Sequence, residues 1–541
     1  MLGDGGGAVR PRVRIARAAR PPVEDPTLGV KVEVDRTGRP ANRLVTIGDS
    51  ITQGFMSAAI FRTDLSWPCV VAFELGLRLG AGFRYPVYEP PTGPGGLPFD
   101  LERAIRGLEA RIGDRLDWYE AIRALRWAQS YMDDIEDYWE RGDGEKLPAT
   151  TAPYHNLGVY GADVLDVLLL DADRIAKRLE TEPRDDPFAQ IVEKDNDRAW
   201  RVVLESCRAA DRTARTVIEA ARAIGDEGLE GGGAGPGIET LVVMLGANNA
   251  LGAVVHLEAR WTPAGYLDQT PHRRLDSKGA YNVWQPAHFA EEWEMLVKAV
   301  RSIKARHVIV ATVPQVTIAP IARGWRGKAS QGSRYFPYYI RPWIDDEDFD
   351  LDRDEHLTEA DARRIDSAID AYNRTIIASV RAARREGRDW YLFDLGGLLD
   401  SLAFRRYVED PAARPAWWKE YELPPELKTL TPIPNTRFFR SGPEGRTDGG
   451  FFSLDGVHPT TIGYGIIARQ LIRIMNDHAG VAFFTQDGAV RAPEAIDVDF
   501  GRVLASDSLL SRPPRAISST LALIGWLDET VDWVHRALPF R

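Results

Sequence analysis

Short apolar runs that alternate with helical stretches constrain this chain more than any other feature. Leu44-Val45-Thr46-Ile47, the segment 150–157, Leu241-Val242-Val243-Met244-Leu245, the segment 307–313 and Trp390 to Phe393 each read as a strand. They are short and largely continuous in apolar residues, the pattern of strands buried on both faces. Helical spacing marks 67–79, 162–179, 197–224, 289–304, 358–385 and 462–475 between and after them. Thr358 followed by Asp361 predicts a capping box at the start of the longest helix. The alternation predicts an α/β fold: a doubly wound parallel sheet of five strands with helices on both faces. Such sheets bind ligands beyond the carboxyl ends of their strands. The residues just after Ile47, Leu157, Leu245 and Val313 are therefore where chemistry is sought.

The chain has 541 residues, more than a five-stranded sheet needs. The excess falls in four insertions, about 84–149, 251–288, 315–357 and 396–450. The first has apolar residues at helical spacing (Leu101, Ile105, Leu108, Ile112 and Leu116; Ile122, Leu125, Met132 and Ile135) and reads as a helical pair over the core. A fixed covering subdomain is favoured over a lid. Residues 1–41, rich in Gly, Arg and Pro, read as a flexible tail. Residues 481–541 read as a C-terminal extension ending in an amphipathic helix around 517–538, expected to dock on its own core. The formal net charge of −11 argues against nucleic acid as a partner. No apolar run approaches the roughly 18–20 residues needed to span a bilayer, so no integral membrane segment is expected. The first 41 residues hold no apolar core of a secretory signal, and a cytoplasmic location is the default expectation. With two cysteines, Cys69 and Cys207, a disulfide framework is excluded.

At the strand ends stand Gly48-Asp49-Ser50-Ile51-Thr52-Gln53-Gly54, Asn156-Leu157-Gly158-Val159-Tyr160-Gly161-Ala162 and Gly246-Ala247-Asn248-Asn249. Before the last helix comes Ser453-Leu454-Asp455-Gly456-Val457-His458-Pro459. These four segments supply a hydroxyl, a glycine amide, a side-chain amide and an Asp/His pair, the set acyl transfer requires. A serine hydroxyl is a weak nucleophile until a base takes its proton, and His458 is suited to that role for Ser50. Asp455 is placed to fix the imidazole tautomer. The N–H groups of Ser50 and Gly161 and the amide of Asn248 are three donors for an oxyanion. Asp49 reads as a turn residue.

GDSITQG (48–54) resembles the first block of the GDSL/SGNH hydrolases; NLGVYGA (156–162), GANN (246–249) and DGVH (455–458) are similar to their second, third and fifth blocks. The resemblance implies a triad of Ser50, Asp455 and His458, an oxyanion hole of Ser50, Gly161 and Asn248, and a three-layer, flavodoxin-like α/β/α fold over 42–480. It implies a serine esterase, lipase or acylhydrolase that needs no metal or organic cofactor and acts on a small-molecule, lipid or sugar ester. The likeness covers roughly 42–82, 150–180, 238–250, 289–314, 358–395 and 451–476, and leaves the insertions unmatched. Asn249 departs from it, since the third block usually ends in Asp. Two other readings stay open: a carbohydrate O-acetylesterase or acyltransferase on the same residues, and a binding protein that keeps the fold without turnover.

The histidines other than His458 show no metal-ligand spacing and read as structural. The acidic run 345–352 lacks the glycine of a calcium loop and reads as a solvated loop. Aromatic residues crowd two insertions, among them Trp325, Tyr335, Phe336 and Tyr339, and then Trp417, Phe438, Phe451 and Phe452. They are expected to pack the insertions onto the core, the alternative being that some line a cleft above Ser50.

Overall fold

The structure is a computed structural model, which describes residues 13–16, 18–88, 96–113, 121–146, 152–180, 192–515 and 517. Its centre is a parallel sheet that has four strands among the described residues: β1 (Asn42–Gly48), β2 (Ile238–Met244), β3 (Ala305–Ala311) and β4 (Trp390–Phe393). They lie side by side in that order. The register pairs Gly48 with Met244, Val243 with Val310 and Ala311 with Phe393.

Successive side chains of a strand point to opposite faces, so an apolar run must feed two cores. Val45, Ile47, Leu241, Val243, Val308, Val310 and Leu392 join one cluster, which also holds residues of the helices Val164–Leu169, Val217–Asp226, Pro286–Val300 and Glu359–Arg385. Leu44, Val242, Met244, Ile309, Ala311 and Phe393 join the other, with the helices Trp67–Glu74 and Thr461–Arg473. Helices thus cover both faces, as an α/β sheet of this kind requires. Thr358 and Asp361 form the expected capping box.

Several expectations change. The segment 150–157 does not form a strand over its described residues. Only Asn156 bridges Thr46, flanked by the bonds Thr46 N–H to His155 O (2.8 Å) and Leu157 N–H to Thr46 O (2.9 Å). The N–H groups of His155 and Asn156 turn to the Arg84 carbonyl instead, and Gly158 then carries the chain away. The single helix expected over 197–224 is two, Asp195–Cys207 and Val217–Asp226. Arg212 has φ +70° between them, and Thr216 with Glu219 starts the second with its own capping box. Likewise 162–179 breaks where Asp171 caps a new helix, Ala172–Leu179.

The first insertion supplies the expected helical pair, Leu101–Ile112 and Ala121–Glu140, and Ala104, Met132, Ile135 and Trp139 lie in the first core cluster. Leu116, and the helix expected around 517–538 beyond Ile517, lie outside the described residues. Residues 20–26, read from the sequence as tail, run along the open edge of β4. Pro26 O accepts from Leu392 N–H (2.9 Å), and Arg20 and the Val23 N–H bond Asp394. Prolines suit such an edge because it asks few N–H groups of them. No helix among the described residues is long and apolar enough to cross a membrane.

One buried acid makes stability depend on pH. Glu292, fully buried on the helix Pro286–Val300, accepts from the Tyr266 hydroxyl and from Arg274 (3.3 Å). Burial, aided by the charge of Asp163, outweighs these donors and pushes its pKa up to about 8. The native state therefore holds a proton that the unfolded chain releases near about 4.3, and stability falls as pH rises from there through about 8. Glu292→Gln should flatten this fall. Melting temperatures of both proteins between pH 5 and 9 check it; parallel curves would contradict it.

Candidate active site

At the end of β1 the chain turns so tightly that only glycine fits at 48: a Cβ there would lie 2.0 Å from Thr52 Oγ1 and 2.8 Å from the Met244 carbonyl. Asp49 then caps a one-turn helix, Ser50–Gln53, accepting from the Ile51 N–H at 3.1 Å. Ser50 is thereby held at a strand-to-helix turn, 2% exposed. Burial pushes the Asp49 carboxyl up to about 7, against the pull of the Ile51 N–H, the His458 ring and its own N–H.

The loop before the helix Thr461–Arg473 is organised by Asp455. Its Oδ1 accepts from the N–H groups of Val457 and His458, both at 2.8 Å. Its Oδ2 accepts from His458 Nδ1 at 3.0 Å and from the Ala58 N–H at 2.9 Å. Asp455 and His458 are 3% and 1% exposed. Burial alone would raise the Asp455 pKa, but the imidazole and these N–H donors hold it below the usual carboxylate range. An ionised carboxylate only accepts, so Nδ1 carries the hydrogen and the neutral ring has its lone pair on Nε2.

The Ala58 donor comes from a strained turn. Met56 and Ala59 exchange two backbone hydrogen bonds, and the residues between them, Ser57 and Ala58, have φ +51° and +62°. Two-residue turns of this kind usually carry Asn or Gly. Here the turn aims two N–H groups at the loop of Asp455, with Ser57 N–H reaching Ser453 Oγ at 2.8 Å.

Two further segments abut this centre. Asn156 anchors the first: its amide donates to Thr52 O (2.9 Å) and accepts from Gly158 N–H (3.1 Å). Gln53 Oε1 accepts from Tyr160 N–H (2.7 Å), and Val159 N–H reaches the Gly48 carbonyl (3.2 Å). Gly161 follows at φ +72°, where a Cβ would stand 3.1 Å from Asn196 Nδ2. Asn248 opens the helix Asn248–Val255 after β2 and donates one amide hydrogen to Ala162 O at 2.8 Å. Its amide nitrogen carries a second. Asn249 is fully buried, and neither atom of its amide has a hydrogen-bond partner among the described residues. Nothing in the structure explains that choice of residue.

Ser50 and His458 line one cavity of about 100 Å³. Asp49, Leu251, Leu395, Leu402, Phe451, Phe452 and Ile467 are also in its wall; Gly161 and Asn248 are not. The Phe55 ring sits between the parts, 4.5 Å from the His458 ring and 5.0 Å from that of Tyr160. Ser50 and the Asp455–His458 pair, far apart in the chain, thus meet at one cavity, while Asn248 bonds the carbonyl of Ala162, the residue after Gly161.

The aromatic insertions divide. Phe451 and Phe452 reach the cavity, whereas Tyr335, Phe336 and Tyr339 are buried in the first core cluster. In the acidic run, Asp346 pairs with Arg323 and Asp350 with Arg353. His155 bonds Asn42 and the Arg84 N–H. Among the described residues no three His, Cys, Asp or Glu side chains are grouped to hold a metal. Sequence reasoning passed over Gln53, Asn156 and the Ser57–Ala58 turn. The first two were visible as side-chain amides inside the motif blocks. The turn had no signal, because Ser-Ala is not a turn dipeptide. Compared with known proteins, the chain matches no family model and no curated sequence.

The strain at Ala58 is testable. Ala58→Gly should be tolerated within about 1 kcal/mol, because relief of the left-handed backbone offsets the lost methyl. Ala58→Val should cost about 2 kcal/mol or more, since a β-branched residue is a true outlier there. Urea unfolding of both variants decides, and equal stabilities would show that the turn stores no strain.

Proposed function

We propose that this protein is a serine-dependent hydrolase of carboxylic esters. The observation that carries the reading is the shared cavity: Ser50 and a histidine already bonded through Nδ1 to a buried carboxylate line the same small space. In this reading Ser50 Oγ attacks the ester carbonyl while His458 Nε2 takes its proton. The oxyanion accepts from the N–H groups of Ser50 and Gly161 and from the second amide hydrogen of Asn248. The intermediate collapses, His458 protonates the leaving alcohol, and an acyl group remains on Ser50. Water then gives a proton to His458 and attacks, releasing the acid and restoring the hydroxyl. Asp455 keeps the ring in the tautomer each step needs and stabilises the imidazolium.

The resemblance of the four blocks to the GDSL/SGNH hydrolases supports the same assignment. It also reads the bridge between Thr46 and Asn156 as the place of a fifth strand outside β1, the flavodoxin-like order. In that order the cavity lies where ligands are expected, beyond the carboxyl ends of the strands.

Ser50→Ala should abolish turnover of p-nitrophenyl esters and labelling by a fluorophosphonate. Asn248→Ala should lower kcat about 10²–10³-fold with little change in KM, because the oxyanion exists only along the reaction path. Asp455→Asn should lower kcat by about 10⁴, the effect of forcing the wrong tautomer. A Ser50→Ala protein with the wild-type rate would refute the proposal.

A further inference from the structure

We infer that the cavity beside Ser50 is an acyl-chain pocket, which restricts the enzyme to esters of short fatty acids. This rests on the hydrolase reading above and adds the substrate class. One wall is the helix Leu395–Leu402, which presents Leu395, Leu398, Leu399 and Leu402 at the spacing of a single helical face. Ile466 and Ile467 of the helix Thr461–Arg473 line the cavity too, as do Phe451 and Phe452. The polar side chains in the wall are few: Asp49, Ser50 and His458, with Gln315 and Thr436.

Size limits what enters. The volume is about 100 Å³, and an engineered apolar cavity of about 150 Å³ takes up benzene. By that comparison about four carbons fit beyond the carbonyl, and a chain of twelve does not. Chemistry decides which half of the ester they belong to. Water that releases the acyl group must take the place of the departed alcohol at His458, so the alcohol side must admit water. Away from Asp49, Ser50, His458, Gln315 and Thr436, the wall of leucine, isoleucine and phenylalanine offers water few partners. The acyl chain, which stays on Ser50 through both steps, needs none.

The full-length protein and two variants decide the matter on p-nitrophenyl acetate, butyrate, hexanoate and laurate, together with a series of butyrate esters that differ in the alcohol. For the wild type, kcat/KM should peak at butyrate or hexanoate, at least about tenfold above acetate, the usual worth of a methylene in an apolar pocket. It should fall by at least the same factor at laurate. Leu402→Trp, narrowing the pocket, should move the peak to acetate. Leu398→Ala, at a half-buried position, should extend it to longer chains. A fluorophosphonate probe of Ser50 reports on the hydrolase reading separately. Labelled protein with a flat acyl profile, or a profile that neither variant moves, would overturn the pocket and leave the hydrolase standing; so would variants that change the alcohol series alone. Protein that neither labels nor turns over any ester would overturn both.

Discussion

The carboxylate of Asp455 ties the site together. A charge taken out of water is tolerated only where donors surround it, and Asp455 is met by three backbone N–H groups and the imidazole of His458. Two of those N–H groups belong to its own loop and shape it. The third, from Ala58, belongs to the turn a few residues beyond Ser50. One buried charge therefore fixes the distance between two ends of the chain some four hundred residues apart. The left-handed backbone at Ser57 and Ala58 aims both N–H groups at that loop, one at Ser453 Oγ and one at Asp455 Oδ2.

Around that anchor the work divides between sheet and insertions. Ser50 and Asn248 stand at the ends of β1 and β2, which are neighbours, so the register of the sheet sets their spacing. Gly161 is brought in by side-chain amides: Asn156 holds the start of its segment on Thr52, and Gln53 holds the end through Tyr160. Much of the cavity's apolar wall comes from later chain, Leu395–Leu402, Phe451 and Phe452 and the helix Thr461–Arg473. Strand ends thus keep the polar groups fixed, while the later segments set the size of the cavity.

The sequence made some of this legible and hid the rest for identifiable reasons. The four strands were readable because each must be apolar on both faces, and so was the cap at Thr358, because capping is local chemistry. The break after Cys207 was written in the sequence as Thr216 and Glu219, but the apolar spacing ran through it and masked the signal. The segment 150–157 misled because its pairing is decided by competition from Arg84, some seventy residues away. The contact of residues 20–26 with β4 was invisible, since a Pro- and Arg-rich segment looks the same whether it lines an edge or hangs in solvent. Of the candidate site, Ser50, Gly161, Asn248, Asp455 and His458 could be picked out as strand-end and loop residues. The cavity that joins Ser50 to His458 could not, because its leucines look like any other helix core until their neighbours are known.

Two carboxyls near His458 show why the surroundings of each group matter more than its type. Asp455 and Asp49 are both buried. Four donors hold Asp455 ionised, whereas burial prevails at Asp49 and pushes it up to about 7. Environments that separate two neighbouring acids in this way assign them different roles. Below that pH the histidine faces one negative charge. The tight turn at Gly48 buries Asp49 where it caps the helix carrying Ser50, and Asp455 is the carboxylate that bonds His458 Nδ1.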